Sequence, residues 1–278
     1  MFEILSRWRQ ARRLKGLDPA AQRRWQARID ALPILAPLTA PERDRLVTLG
    51  WCFLHDKRFT PVDEAPLTAE DCIDIALQAA LPVLNLSLEH YGHFHELLIY
   101  PEEFLSPRHY VDDNGVEHQG VEELTGEAWE QGPVLLSMSE LAYSGSWDGF
   151  NLVIHELAHK LDIANGGLAN GHPDLPPALR QPWLAAFPLA YAEQCERVNE
   201  AERTDRWDGV WLDPYGCENE AEFFAVCVEA FFTDPIALNT AFGELYALLK
   251  AYFGQDPLPR APQWCPYPRI QPSEIPTT

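Results

Sequence analysis

The chain has 278 residues and a net charge of −21, and hydrophobic residues make up 46% of it. This composition is typical of a globular protein with a hydrophobic core, and no run approaches the roughly 20 apolar residues that span a bilayer. The six cysteines form no C-x-x-C pair, and the first residues, MFEILSRWRQARRLKG, lack the apolar core of a secretory signal. We therefore expect a cytoplasmic protein with reduced thiols and no membrane span.

The negative charge is unevenly distributed along the chain. Residues 1–28 contain eight basic and two acidic side chains, whereas the remainder contains 13 basic and 40 acidic ones. The strongly acidic remainder of the chain repels nucleic-acid phosphates, so we expect no direct binding of nucleic acid. The basic segment could contact an acidic partner or a membrane surface, but a solvated helix face with Leu and Trp packed inward is the simpler interpretation.

The predicted elements begin with helices. Residues 3–30 have the pattern of one or two basic amphipathic helices, and a Pro-punctuated connection over residues 32–41 leads to a short helix over residues 40–51. A clearer helix begins near Thr68, because Thr68-x-x-Asp71 resembles a capping pair before the sequence DCIDIALQAALPVLNL.

Two short apolar runs in the middle of the chain predict strands. Leu97–Tyr100 and Val134–Met138 have the length and the bounding turn residues of strands. Between them, Asp113-Asn114-Gly115 is a strong turn signal.

The second half of the chain returns to helical patterns. NLVIHELAHKLDIA, which begins at Asn151, has apolar residues at spacings of three and four, and residues 178–204 predict a long helix that Pro182 and Pro188 divide or kink. Two further helices are predicted over Asn219–Phe232 and Pro235–Phe253. Together the elements predict a mainly helical α+β protein with a small sheet.

An H-E-x-x-H sequence lies within the helix that begins at Asn151. Four residues make just over one turn, so His155 and His159 project from one face and can bind one metal ion. Glu156 can reach a water held on that ion and take its proton as the water attacks a peptide carbonyl. A surface helix with two solvated histidines is the alternative, but the flanking Leu157 and Leu161 indicate a buried helix.

A catalytic zinc site needs a third protein ligand and an open position. Residues 218–232 have a core stripe at spacings of three and four, with Glu222 on a neighbouring face and Glu229 two turns further along. Asn219-x-x-Glu222 also fits a capping box, in which Glu222 would face the amino terminus of its own helix. Spacing alone leaves both roles of Glu222 open. The stripe consists of Phe224, Cys227 and Phe231.

Two segments, HELAHKLD and YGCENEAEFFAVCVEAFF, together resemble the family of the Mlc titration factor A. The catalytic core of that family is similar to the peptidase domain of anthrax lethal factor. The similarity includes a tyrosine seven residues before the metal-binding glutamate, here Tyr215 before Glu222. FLHDKRF and FHELLIYP extend the resemblance over most of the chain.

The resemblance implies a zincin-like catalytic core and a gluzincin-type zinc metallopeptidase with aminopeptidase activity. Its ligand set on this chain is one Zn²⁺ held by His155, His159 and Glu222. Glu156 would be the general base, and Tyr215 would donate a hydrogen bond to the developing oxyanion.

Asp162 and the division of the chain complete these expectations. Asp162, three residues after His159, would support a ligand from behind or brace the ligand helix, with a solvated or capping aspartate as the alternative. We expect residues 1–278 to form a single compact unit: a mainly helical part over 1–85, a zincin-like catalytic part over 86–254 and a Pro-rich extended tail over 255–278.

The resemblance also implies a protein partner. Members of the family sequester the glucose repressor Mlc and so relieve repression of glucose phosphotransferase genes. A Mlc-type repressor is therefore expected beside a peptide or protein substrate. The alternative function is a non-catalytic regulatory protein that binds and titrates a transcriptional repressor.

Three other features suggest sites with less support. A histidine cluster precedes the first predicted strand but lacks an acidic or cysteine partner in phase, and that strand could pair with an extended peptide if it edged the cleft. The cluster is His90, His93 and His95. A second candidate set could indicate a serine hydrolase. No G-x-S-x-G sequence surrounds either of its serines, so we do not expect that function. This set is Ser137, Ser139 and His172. Cys217 has no local histidine and is interpreted as structural.

Overall fold

Helices make up most of the protein as it is described by a computed structural model, which covers residues 14–102, 104–111, 117–124, 126–128, 132–164, 166 and 168–262. The start of the basic segment (1–13), the Asp113-Asn114-Gly115 turn and the end of the Pro-rich tail (263–278) lie outside the described residues. The helices are α1 (Pro19–Ala31), α2 (Ala40–Asp56), α3 (Ala69–Ala80), α4 (Met138–Leu141), α5 (Leu152–Ile163), α6 (Pro177–Thr204), α7 (Glu220–Thr233), α8 (Pro235–Ala241) and α9 (Gly243–Phe253).

Side-chain caps explain where three of these helices begin. Thr68 and Asp71 form the predicted capping box: the Thr68 hydroxyl accepts from the Asp71 amide at 3.2 Å, and the Asp71 carboxylate accepts from the Thr68 amide at 2.8 Å. Asn151 caps α5 by accepting from the Ile154 amide at 3.0 Å. Asn219 caps α7 in the same way.

The strands form a small mixed sheet and a separate hairpin. The strands are β1 (Arg58–Pro61), β2 (Glu96–Tyr100), β3 (Phe104–Val111), β4 (Glu117–Leu124), β5 (Gly126–Ala128) and β6 (Val134–Ser137). The sheet has the order β1-β2-β6-β5, in which β1, β2 and β6 are parallel and β5 is antiparallel to β6. Strands β3 and β4 pair antiparallel with each other. Since β2 is paired on both sides, the idea that this strand edges a cleft and binds an extended peptide is wrong.

The two long helices predicted in the second half differ in their outcome. Helix α6 confirms the helix predicted over residues 178–204 and is not divided at Pro182 or Pro188; the buried Trp183 and Phe187, which lie between the prolines, stack with ring centroids 5.4 Å apart. The helix predicted over Pro235–Phe253 is instead broken at Phe242, whose backbone is non-helical and whose buried ring packs edge-on against Phe223.

The helix that carries the H-E-x-x-H sequence lies in the middle of the core. Helix α5 packs against α7 on one side and against α3 and strands β5 and β6 on others. Its predicted stripe of Ile154, Leu157 and Leu161 is completely buried, as is the stripe of α7. Ligand candidates on these two helices are therefore held by elements of the hydrophobic core. None of the helices in the described ranges is long and apolar enough to cross a membrane.

Candidate metal centre

The two histidines of helix α5 face the same opening. His155 and His159 are one turn apart, and their rings meet edge to face with centroids 5.1 Å apart. Their side chains are only 12% and 10% exposed, so the alternative interpretation, a surface helix with two solvated histidines, is wrong.

Glu222 completes the cluster from the first turn of helix α7. Its Oε2 atom lies 3.2 Å from Nε2 of His155 and 3.2 Å from Nε2 of His159. The cap of α7 comes from Asn219, whose Oδ1 accepts the amides of Ala221 at 2.9 Å and of Glu222 at 3.0 Å. The Glu222 carboxylate thus faces the two histidines, and the Asn219 side chain caps the helix.

These distances fit a single tetrahedral metal ion. Two ligand atoms bound at about 2.0–2.1 Å in tetrahedral geometry lie about 3.3 Å apart. The 3.2 Å separations of Glu222 from both imidazoles match that edge length. In the part of the chain that the structure describes, this is the one cluster of three His, Cys, Asp or Glu side chains able to hold a metal. Two imidazoles and one carboxylate form a donor set that zinc accepts.

The electrostatics of the cluster favour positive charge. Burial lowers the pKa of His155, but hydrogen bonds to Glu222 and Glu229 raise it to a net value well above the ordinary one. Burial raises the pKa of Glu222, yet its hydrogen bonds with the two imidazoles bring it far below the ordinary value. The pKa of His159 is lowered by burial. Glu222 is thus an ionised carboxylate held against two rings, which is the charge state that metal binding needs.

A second carboxylate lies on the other side of the His155 ring. Oε2 of Glu229 is 3.2 Å from Nδ1 of His155, and Oε1 accepts a hydrogen bond from the backbone amide of Asn151. Glu229 is 5% exposed. The sequence places Glu229 two turns beyond Glu222 but does not predict its contact with His155. Its spacing of seven residues, or two turns, from Glu222 is the signal that places both on one side of the helix.

The two other candidate catalytic residues border the cluster. Glu156 is 2% exposed on helix α5 and lies near enough to Lys160 to affect it: burial lowers the pKa of Lys160 to about 8, and the Glu156 charge opposes that shift. Tyr215 lies in the short 3-10 turn Pro214–Cys217 that packs on α7, and its ring centroid is 6.1 Å from that of His155. It is 42% exposed, as a group that meets a substrate would be.

Asp162 is buried and braces the loop that follows the ligand helix. Its Oδ2 atom accepts the backbone amides of Asn170 and Gly171, each at 2.7 Å. Gly171 has φ of +76°, and an added Cβ would lie 2.3 Å from the Phe187 ring. Burial raises the pKa of Asp162 to about 6. The hydrogen bonds are those of a loop brace, so the solvated aspartate of the alternative interpretation is wrong.

The other sequence candidates do not assemble into sites. His93 and His95 are exposed, and no metal-binding cluster includes them among the described residues. Ser137 is buried and donates its hydroxyl to Glu140 at 2.8 Å, a structural arrangement. Burial and the neighbouring thiol of Cys195 raise the pKa of Cys217 to about 12, so Cys217 is a poor nucleophile.

Comparison with known proteins gives matches over most of the chain. The family model described as glucose-regulated metallo-peptidase M90 matches residues 5–254. Mlc titration factor A of Pectobacterium atrosepticum is 39% identical over 243 residues, which cover 86% of this chain and 89% of that protein. Mlc titration factor A of Yersinia pestis is 39% identical over 233 residues, or 84% of this chain and 85% of the relative. Both helices of the candidate metal centre lie within the range of the family match.

Proposed function

The chain belongs to the Mlc titration factor A family of glucose-regulated metallopeptidases, and on that premise we propose that it hydrolyses peptide bonds at a zinc ion held by His155, His159 and Glu222. The observation that carries this proposal is the position of Glu222 Oε2, 3.2 Å from Nε2 of each histidine. The proposal includes a zincin-like core of the gluzincin type, in which the third ligand is a downstream glutamate, and the mixed sheet packed against the ligand helix supports it.

A zinc ion held by these residues would supply Lewis-acid polarisation of the attacking water and of the peptide carbonyl. Glu156 takes the proton of the attacking water and delivers it to the departing amine. Tyr215, exposed beside the His155 ring, donates its hydroxyl proton in a hydrogen bond to the oxygen that becomes negative. His155, His159 and Glu222 would hold the ion itself.

The direct test separates metal binding from chemistry. Glu156→Gln is expected to retain zinc and to lower kcat by about 10²–10⁴-fold, because only the proton acceptor is removed. The matched control is Glu220→Gln, an exposed glutamate two residues before Glu222 on the same helix turn, and it should retain both zinc and turnover. Metal analysis and a peptide-library cleavage assay measure both quantities. Unchanged turnover in Glu156→Gln would remove the proposed mechanism.

Aminopeptidase activity is the finer form of this proposal. Its support is the family resemblance, and the same peptide library tests it. Peptides with a free amino terminus should be cleaved one residue at a time, whereas acetylated copies should resist cleavage. Cleavage of both kinds at internal bonds would make the enzyme an endopeptidase.

A repressor-binding function is the second candidate. It is supported by the name of the relatives, Mlc titration factor A, and by 39% identity over most of their length. Binding of a Mlc-type repressor needs a complementary surface and no chemistry, so Glu156→Gln should bind it as the unaltered protein does. Since the chain carries a net charge of −21, a contact with a basic repressor face should weaken as salt rises.

A cytoplasmic location belongs to this proposal, in keeping with free thiols at the five described cysteines.

A further inference from the structure

We propose that Glu229 is a positioning residue that fixes His155 in the orientation and the tautomer with which it binds the metal. The inference rests on the proposed zinc site, and it concerns a residue that is not itself a ligand. Glu229 lies on the side of the His155 ring away from Glu222: Glu222 faces Nε2, and Glu229 faces Nδ1.

The contact with Nδ1 selects one tautomer of His155. A neutral imidazole carries a single N–H, and a carboxylate can only accept a hydrogen bond. Glu222 Oε2 faces Nε2 at the same distance, so the choice between the nitrogens is made with the ion in place. Once Nε2 gives its lone pair to an ion held between it and Glu222, the single proton lies on Nδ1, where Oε2 of Glu229 accepts it at 3.2 Å. The orientation of the ring is fixed by the same contact, since Glu222 and Glu229 lie 3.2 Å from opposite nitrogens.

The other oxygen of Glu229 is committed to the start of the same helix. Oε1 accepts the backbone N–H of Asn151, the residue that caps α5. Asn151 is completely buried, so this amide depends on a protein acceptor. One buried carboxylate on α7 therefore holds both the first residue of the ligand helix and the ligand ring one turn later.

This arrangement requires a carboxylate and excludes its amide analogue. Both groups that face Glu229 are N–H donors, and a carboxylate accepts from two donors at once. A glutamine of nearly the same shape offers one acceptor and one donor. It would either place its NH₂ against the Asn151 amide or turn it to His155, where it would stabilise the tautomer whose proton occupies Nε2.

The experiment measures zinc affinity by competition with a chelator of known affinity, in the full-length unaltered protein and in Glu229→Gln. Loss of an outer partner of a ligand histidine costs about 10–100-fold in metal affinity, and we expect Glu229→Gln to weaken zinc binding by that factor. The matched control is Asp256→Asn, the same isosteric change at a carboxylate that also accepts two bonds, from Tyr246 and Lys250 at 2.6 Å. It should bind zinc as the unaltered protein does.

The outcomes separate this inference from the proposed function. If the unaltered protein binds no zinc, the proposed site and this inference both fail. If the unaltered protein binds zinc and Glu229→Gln binds it within about twofold, the inference alone is overturned, because 10–100-fold is expected for such a partner.

A second measurement needs no substitution and so does not depend on a variant that folds. Nitrogen-15 NMR of the zinc-loaded protein, with labelled histidine, reports which ring nitrogens carry protons. We expect a protonated, slowly exchanging Nδ1 for His155. A deprotonated Nδ1, or zinc bound through Nδ1, would overturn the positioning role. The readout is specific to that role, because a purely structural contact of Glu229 would not determine which ring nitrogen carries the proton.

Discussion

Glu222 shows how one side chain satisfies two local demands. It occupies the first turn of helix α7, where the helix dipole stabilises negative charge, and its own backbone amide is accepted by the Asn219 side chain. Its carboxylate faces His155 and His159. Its depressed pKa means that it is ionised throughout the neutral range, so protons do not compete for this ligand there.

The ligand role of Glu222 predicts a large difference between two glutamates of one helix turn. Glu222→Gln should weaken zinc binding by more than the 10–100-fold that loss of an outer partner costs, because a neutral amide replaces an ionised ligand. Glu220→Gln changes the same charge near the same helix end, yet Glu220 is exposed and should have no effect. Equal zinc affinities for the two variants, measured by chelator competition, would contradict the assignment.

Asp162 predicts a pH dependence of stability. Its pKa is about 6 in the folded protein, above the ordinary 3.8, because of burial. The folded state therefore binds this proton more tightly than the unfolded state does. The contribution of the protonated Asp162 to stability is complete below about pH 4 and is lost as pH rises through about 6. The cost of ionisation at neutral pH is about 2–3 kcal/mol.

Asp162→Asn removes this titration. An amide oxygen in place of Oδ2 can still accept from the amides of Asn170 and Gly171. The free energy of unfolding of the variant minus that of the unaltered protein should increase by about 2–3 kcal/mol from pH 4 to pH 7. Urea denaturation of both proteins with a chelator present gives this difference. A difference that does not change with pH would contradict the buried, protonated Asp162.

The site could be predicted from sequence only where it is local. The spacing of His155 and His159 follows from helix geometry, and the pair was identified without a fold. The roles of Glu222 and Glu229 depend on how α5 and α7 cross, and their sequence distances of 67 and 74 residues from His155 carry no such information. The resemblance supplied the role of Glu222, but the contact of Glu229 with Nδ1 became visible only in the structure.

At the level of elements, the site depends on the ends of two helices. The His155 ring lies one turn inside α5 and Glu222 lies in the first turn of α7, so each ligand is close to an asparagine cap. End turns fray when their caps are lost. The caps of α5 and α7 therefore contribute to metal affinity as well as to folding.

Asn219 provides the test of this coupling. Asn219→Ala should lower the free energy of unfolding by about 1 kcal/mol, the typical value of an N-cap. It should also weaken zinc binding, because the first turn that carries Glu222 loses the bonds to the amides of Ala221 and Glu222. Asn219→Asp retains an acceptor at the cap and should restore both properties. A destabilised Asn219→Ala with unchanged zinc affinity would separate the cap from the site.

The elements themselves were predicted best where local signals are strong. Thr68 and Asn219 begin the helices that their caps predict, since capping is a contact within four residues. Strand β1 was missed, because Arg58–Pro61 lies at the edge of the sheet and lacks an alternating burial pattern. The break at Phe242 was missed because the ring of Phe242 packs against Phe223, a residue outside the segment.

At the level of the whole molecule, a cluster of buried hydrophobic residues extends from Trp25 to Phe253 and surrounds the ligand helices. This packing holds three side chains, drawn from two helices, close enough together to bind one metal ion. The net charge of −21 adds a field that attracts cations, both metal ions and the positively charged amino terminus of a peptide. Fold and charge thus favour the same class of site.

The central claim is that two imidazoles and one carboxylate converge on a single zinc ion. X-ray absorption spectroscopy at the zinc edge of the full-length protein, combined with metal quantification, tests it most directly. We predict one zinc per chain with only nitrogen and oxygen neighbours at about 2.0–2.1 Å, two of them imidazoles. A sulfur neighbour at about 2.3 Å, or the absence of tightly bound zinc, would contradict the ligand set of His155, His159 and Glu222.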